Sequence, residues 1–280
     1  MSSLATKLKT AARHPELVGT RVRSRWNLVP YFVGDGSNAF TPSTVYVSVN
    51  SVCNMKCKMC DVGTATVGSQ FWLNLLGPKS EISLENAKRI VDDVKSFKPV
   101  LAINSTEPLL YRHIVPMVEH AKAAGLEVQI TTNGLRLEKF AEQFVDIGLD
   151  RLWISIDGPA AVHDHIRGVK NGFQRITDAI KLLTELKRQR GKATPRVFIN
   201  FTVSEYNFDQ AVPLMEAISG IGISGVTVSH MNFVTEAMAD VHNGMYGHVV
   251  KATPSSVTLA DPQRIELTAL GDQIDELRAR

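Results

Sequence analysis

The sequence predicts an α/β protein built on parallel strands, and three observations carry that reading. From residue 44 onward, short β-branched runs alternate with amphipathic stretches at helical spacing. Strands that alternate with helices at this pitch form parallel βαβ units. Six such units can be counted from periodicity alone, and 280 residues suffice to bury them as one large α/β unit. No apolar run approaches the roughly 18 to 20 residues needed to cross a bilayer. The polar start, Met1-Ser2-Ser3, lacks a secretory apolar core.

Residues 1–43 read as a basic helical N-terminal extension and 44–280 as the core domain. Within the first thirty residues Lys7, Lys9, Arg13, Arg21, Arg23 and Arg25 stand against Glu16 alone, a net +5 in a chain of net +3. Such an arm suits nucleic acid or an anionic surface. Aromatic residues do not interleave with the basic ones as they do in a nucleic-acid stacking platform. A solvated leading helix outside the main domain is the simpler expectation, with nucleic acid not expected as a partner.

The first strand is expected at 44–50 (TVYVSVN), running straight into the cysteines. Ser83 is an N-cap for a helix whose Leu84, Ala87, Ile90, Val91, Val94 and Phe97 fall on one face. The second strand, 99–104, leads to a helix ending near Gly125. The third, 127–132, leads to one carrying Leu137, Phe140, Ala141, Phe144 and Val145 and stopping at Gly148. The fourth strand covers 151–157, with a long helix over 172–190. The fifth covers 196–203, with a helix from about 208 to 219, and the sixth covers 226–230. A last helix is expected from Asp261 as N-cap, with Pro262 at its first position, toward Arg280. Whether the sheet is doubly wound or barrel-like, function gathers at the carboxyl ends of its strands.

The end of the first strand holds all three cysteines of the chain: Cys53, Cys57 and Cys60. Three thiols within eight residues point to one shared site, because a disulfide framework wants even numbers and wider separations. Zinc takes four protein ligands, or three and an open position, and favours cysteine pairs two residues apart with His nearby. Here the spacing is three and then two, and the next His is His113. Iron–sulfur clusters are held by thiolates, usually four. Three on one tight loop would leave one iron of a four-iron cluster without a protein ligand. Lys56 and Lys58 interleave with the thiols, and basic neighbours favour thiolates. The plainer reading is three ordinary buried small residues.

CxxxCxxC after a first strand resembles the radical S-adenosylmethionine (radical SAM) superfamily. The resemblance implies that Cys53, Cys57 and Cys60 ligate a [4Fe-4S] cluster whose open iron chelates the methionine end of S-adenosylmethionine. It implies reductive cleavage of that cofactor to a 5'-deoxyadenosyl radical, which abstracts hydrogen from a peptide or small-molecule substrate. A reduced flavodoxin- or ferredoxin-type electron donor and a partial (β/α)6 TIM-like barrel follow, while the polar start, the lack of a long apolar run and the thiols lead to the expectation of a cytoplasmic location. Four weaker motifs support it at successive strand ends. Glu107-Pro108 stands where the family has two glycines followed by Glu-Pro, but Ser105 and Thr106 replace the glycines here. Thr132-Asn133-Gly134 resembles the family's TNG element. Ser155-Ile156-Asp157-Gly158-Pro159, followed by His163-Asp164-His165-Ile166-Arg167-Gly168, resembles the peptide-modifying and sulfatase-maturing subgroup. The resemblance assigns Glu107, Asn133, Ser155, Asp157 and Arg167 to cofactor binding. A planar guanidinium gives Arg167 a physical match to a carboxylate.

No cysteine follows Cys60, so this chain is expected to hold one cysteine-ligated cluster and no SPASM-type auxiliary site. His163, Asp164 and His165 read as ordering a loop in preference to holding a metal. His230, ending the sixth strand, is the candidate catalytic residue. Residues 231–260 show no convincing periodicity and hold Met231, Met238, His242, Met245, Tyr246 and His248, which suggests a lid over the substrate. The 61–82 loop, with Phe71, Trp72, Leu73, Leu75 and Leu76, is a second candidate wall. Two alternatives stay open: a non-catalytic iron–sulfur protein that transfers electrons or senses redox state, and a radical SAM enzyme acting on a nucleoside, sugar or lipid precursor.

Overall fold

The computed structural model describes residues 12, 22, 25–26, 28–34, 40–62, 72–73 and 80–279. The first described helix is α1 (Val29–Val33), followed by strand β1 (Thr44–Val47). The chain then alternates through α2 (Leu84–Val94), β2 (Val100–Asn104), α3 (Ile114–Ala123), β3 (Glu127–Thr132), α4 (Ala141–Ile147) and β4 (Arg151–Ser155). Two helices follow, α5 (Ala160–Arg167) and α6 (Gly172–Gln189), before β5 (Arg196–Val203), α7 (Ala211–Ala217) and β6 (Gly225–His230). Helices α8 (Glu236–Tyr246) and α9 (Leu267–Ala279) close the described chain. Lys7, Lys9, Arg13, Arg21 and Arg23 of the basic extension lie outside the described residues, as do Phe71, Leu75, Leu76 and Arg280.

All six strands pair in parallel and in sequence order, β1 through β6. A doubly wound sheet reverses its strand order at a switch point. This one never does, so the winding keeps one sense, as in a barrel. Among the described residues β1 pairs with β2 and β6 with β5, which leaves the barrel open. Period-2 alternation of burial divides β3, β4 and β5. Val128, Ile130, Leu152, Ile154, Val197, Ile199 and Phe201 are fully buried against the helices. Gln129, Thr131, Trp153, Ser155, Phe198 and Asn200 occupy the other, half-buried face. Trp153 and Phe198 stack there at 4.6 Å between centroids. The helices supply the complementary layer, for example Phe144, Ile176, Ile180 and Leu183.

Local chemistry sets the element ends. Ser83 caps α2, its hydroxyl accepting from Asn86 N. Gly148 ends α4 with φ 73°, a left-handed cap that costs a glycine little.

The structure departs from expectation in four places. Strand β1 stops at Val47, because Asn50 instead bridges Glu81 and bonds the turn after β2. His163, Asp164 and His165 lie on helix α5, not on a loop. The 231–260 stretch contains α8, capped by Thr235 Oγ1, which accepts from Met238 N. Its Met238, Val241 and Met245 face outward, so the helix shows no core-facing pattern. Asp261 does cap a helical turn, but that turn is 3₁₀ and spans only Pro262–Arg264. Ile265 then turns extended and buries its side chain, so the helix restarts at Leu267.

Candidate active site

Asn50 is the hub that brings the cysteines to the sheet. Ser105 and Thr106, which replace two small residues of the expected motif, are the staples that hold it. Ser105 Oγ accepts from Asn50 N at 3.0 Å and lies 2.8 Å from Asn50 Oδ1. Thr106 Oγ1 donates to the Val52 carbonyl at 2.5 Å, directly before Cys53. Asn50 Nδ2 donates to the Glu107 carbonyl at 2.9 Å. The hydroxyls thus do by hydrogen bonding what close backbone approach would otherwise do. Asn50 itself carried no signal in the sequence; the Ser-Thr pair was the only pointer to it.

The cysteine loop is then fastened from the far side. Lys58 N donates to the Ile166 carbonyl at 2.9 Å, at the end of α5. Gly168, with φ 64°, lies against the loop there, and an added Cβ would meet the Lys56 carbonyl at 3.0 Å. Asp61, buried, accepts from Ser256 N at 2.6 Å and latches the loop to the segment beyond α8.

These contacts leave a cavity of about 210 Å³ lined by Cys53, Cys57 and Cys60 together with Asn133, Ser155 and Arg167. All three cysteines are free of disulfides. Burial pushes each thiol up, Cys60 to about 11, and the neighbouring sulfurs raise Cys53 and Cys60 further. The expectation that Lys56 and Lys58 favour thiolates is therefore corrected. Lys56 is exposed, and Lys58 turns away to His165 Nε2 at 2.7 Å and the Tyr206 ring. The cation that does reach a sulfur is Arg167, whose Nη1 lies 3.7 Å from Cys57 Sγ. Asn133 Nδ2 lies 3.9 Å from Cys53 Sγ.

Arg167 Nε donates to Asp157 Oδ2 at 2.5 Å, and Thr202 N donates to Asp157 Oδ1 at 3.0 Å. Burial opposes the Arg167 charge, but Asp157 and Cys57 outweigh it and hold the guanidinium ionised. His163 Nδ1 accepts from Asp157 N, and burial lowers this His to about 4, so it is neutral with Nε2 unpartnered. Glu107 lies behind the Thr132 and Asn133 wall of the cavity, 1% exposed. Its Oε1 accepts from Leu109 N at 2.9 Å and Thr132 Oγ1 at 2.6 Å, and its Oε2 from Asn133 N at 2.8 Å.

The predicted site residues therefore divide. Cys53, Cys57, Cys60, Asn133, Ser155 and Arg167 line the cavity. Glu107 and Asp157 stand behind it, with their carboxylates engaged by the chain. His230 lies apart: it is exposed, its Nδ1 is 2.9 Å from the Met231 carbonyl, and its ring leans on Phe233.

The site suits a cluster better than a single ion. Thiolates on one zinc, with bonds of about 2.3 Å, would crowd within about 4 Å of each other. Among the described residues no three His, Cys, Asp or Glu side chains gather in that way. Three thiols round one cavity, Cys57 buried and Cys53 and Cys60 half-buried, match a polynuclear centre, and coordination itself would deprotonate them.

The fold and this site define an open (β/α)6 protein with a trithiol centre at the carboxyl end of its sheet. Residues 47–217 match the model of the Radical SAM superfamily, and the chain belongs to that family, whose members use a [4Fe-4S] cluster and S-adenosylmethionine. It is 30% identical over 185 residues to the AdoMet-dependent heme synthase of Methanosarcina barkeri (strain Fusaro / DSM 804), covering 65% of this chain and 48% of that protein. It is 24% identical over 195 residues to the sporulation killing factor maturation protein SkfB of Bacillus subtilis (strain 168), covering 69% of this chain and 43% of that one. The chain spans about half the length of the curated relatives it matches. Among solved structures, Streptococcus suis SuiB bound to S-adenosylmethionine superposes with a TM-score of 0.54 at 17% identity, over 74% of this chain and 47% of SuiB. No described helix is long and apolar enough to cross a membrane.

Proposed function

We propose that this chain is a radical SAM enzyme that abstracts hydrogen from a peptide or other small organic substrate. Cys53, Cys57 and Cys60 hold the cluster, and Asn133, Ser155 and Arg167 hold the cofactor. When bound and reduced, the cluster supplies one electron, and S-adenosylmethionine supplies the 5'-deoxyadenosyl group that takes the hydrogen. The observation that carries this reading is the shared cavity, where three thiols meet a buried, permanently charged guanidinium.

The chain's own residues position and enclose. Asp157 fixes Nε of Arg167 and Nη1 faces Cys57 Sγ, which leaves the second Nη for a carboxylate in the cavity. Ser155 offers a hydroxyl on the same wall, and Asn133 is fixed by Asn54 Oδ1 at 2.8 Å. Met55 and Val62 make the wall partly apolar, which keeps water from a reactive intermediate. The electron donor is of the reduced flavodoxin or ferredoxin type, and three thiols outside any disulfide suit the reducing cytoplasm.

The test is anaerobic. The purified chain is reconstituted with iron and sulfide, reduced, and mixed with S-adenosylmethionine. Release of 5'-deoxyadenosine, lost in Cys57→Ala, is the expected result. A fully loaded cluster with no nucleoside and no spectral response to the cofactor would overturn the reading in favour of a non-catalytic iron–sulfur protein.

A further inference from the structure

The N-terminal segment combines two features that the active site does not use. The first is charge: Lys7, Lys9, Arg13, Arg21, Arg23 and Arg25 against Glu16, while the remaining residues sum to about −2. The second is a run of apolar side chains left in water. Val22, Trp26, Leu28, Tyr31, Phe32 and Val33 are all exposed, Trp26 at 63%, Phe32 at 77% and Val33 at 79%. Helix α1 buries none of its residues. Among the described residues nothing before Val45 joins or packs against the hydrophobic core. The apolar run therefore belongs to something outside the barrel.

Spacing arranges the two features. Val22, Trp26, Val29 and Val33 follow one another at intervals of four, three and four residues, an apolar stripe in the sequence that the structure interrupts at Leu28, the turn residue that caps α1. Arg21, Arg23 and Arg25 immediately precede or interleave with its start. Trp26 lies 6.4 Å from the Phe40 ring, and Tyr31 packs edge-on to Phe32 at 5.5 Å, so the aromatic rings gather on the extension itself.

We propose that this extension docks the protein on an anionic lipid bilayer surface. The arginines meet the headgroup phosphates, while Trp26, Tyr31 and Phe32 enter the boundary between headgroups and acyl chains. Charge complementarity selects the occupant. A neutral apolar protein partner would use the stripe and leave the +5 uncompensated. A nucleic acid would use the arginines and the rings, but gives Val22, Leu28, Val29 and Val33 nothing apolar to enter. An anionic bilayer satisfies both at once, because Trp and Tyr favour its interface and clustered Lys and Arg favour its surface. The extension lies on the membrane and does not span it, which places the barrel beside the lipid as a peripheral protein.

The test is flotation of the purified full chain with unilamellar vesicles of phosphatidylcholine, with and without about one third phosphatidylglycerol. The expected result is partition to the anionic vesicles, weakened by salt as exposed charges are screened. Each basic residue near such a surface is worth about a fivefold factor, so changing Arg21, Arg23 and Arg25 together to Gln should lower the partition coefficient on the order of a hundredfold. The pair Trp26→Ala and Phe32→Ser should weaken it independently of salt. Arg25, Trp26 and Phe32 are exposed and outside the core, and iron loading reports that each variant is folded. Absence of binding to anionic vesicles overturns the proposal, as does equal binding to neutral ones. Binding to single-stranded RNA without vesicle partition also overturns it and reassigns the arm to nucleic acid. Concentration-dependent dimerisation lost with the aromatic pair, again without partition, reassigns the stripe to a second copy.

Discussion

Two buried carboxylates flank the cavity, and the chain treats them in opposite ways. Glu107 is satisfied by neutral donors: two backbone N–H groups and the Thr132 hydroxyl. Asp157 is satisfied by a guanidinium and one backbone N–H. Among the described residues no cation bonds Glu107, and burial raises its pKa although the three hydrogen bonds oppose the rise. The contrast separates two uses of the same group. Glu107 ties the turn after β2 to the end of β3 and so fixes shape. Asp157 orients a charge, because its pairing aims Nη1 of Arg167 at the Cys57 sulfur.

Variants of the site can break or sharpen this contrast. Cys57→Ala should have the largest effect, reducing bound iron and sulfide to background. Unchanged iron by chemical analysis would sink the cluster assignment. Asp157→Ala leaves Arg167 buried without its partner, at a cost of about 3–5 kcal/mol in urea unfolding. If instead it costs no more than a neutral hydrogen bond, the two carboxylates are equivalent and the comparison fails. His163 gives a pH-dependent effect of intermediate size. It titrates at about 4 in the folded protein and about 6.5 when unfolded. Between those values the unfolded chain binds the extra proton, so stability falls on acidification. The loss from pH 7 to pH 5 is about 2 kcal/mol, and His163→Asn should abolish this component of the urea midpoint's pH profile.

Arg167→Gln should retain the cluster and weaken S-adenosylmethionine binding by about tenfold, or about 1.4 kcal/mol, measured by equilibrium titration of the cluster spectrum. It should also make the cluster harder to reduce, because hydrogen bonds to cluster sulfurs set the potential. An unchanged potential in redox titration would confine Arg167 to the cofactor. Glu107→Gln should have the smallest effect. It removes a buried charge but turns an amide donor toward a backbone N–H, for a net change of about 1 kcal/mol.

Much of this fold was legible in advance because it rests on local pattern. The strand centres, Ser83 and Gly148 were each readable from a few neighbouring residues. What escaped depended on residues distant in sequence. The acids at 107 and 157 were visible, but not that Asn133 and Thr202 would claim their oxygens from 26 and 45 residues away. Asn50 could not be singled out, since its partners in the turn after β2 lie 55 and more residues downstream. Helix α8 escaped for a different reason: its apolar residues face outward, and only Thr235 followed by Glu236 marked its start. His230 was chosen by position at a strand end, and edge strand β6 leaves it in solvent.

The latch from Asp61 to Ser256 joins groups 195 residues apart. Translation proceeds at about 5–20 residues per second, so roughly 10–40 s separate the emergence of the thiols from that of the segment that latches their loop. Throughout that interval the nascent chain presents three thiols on a loop without its C-terminal restraint. The hydrogen bond that latches the cysteine loop thus forms only after residue 256 has been made.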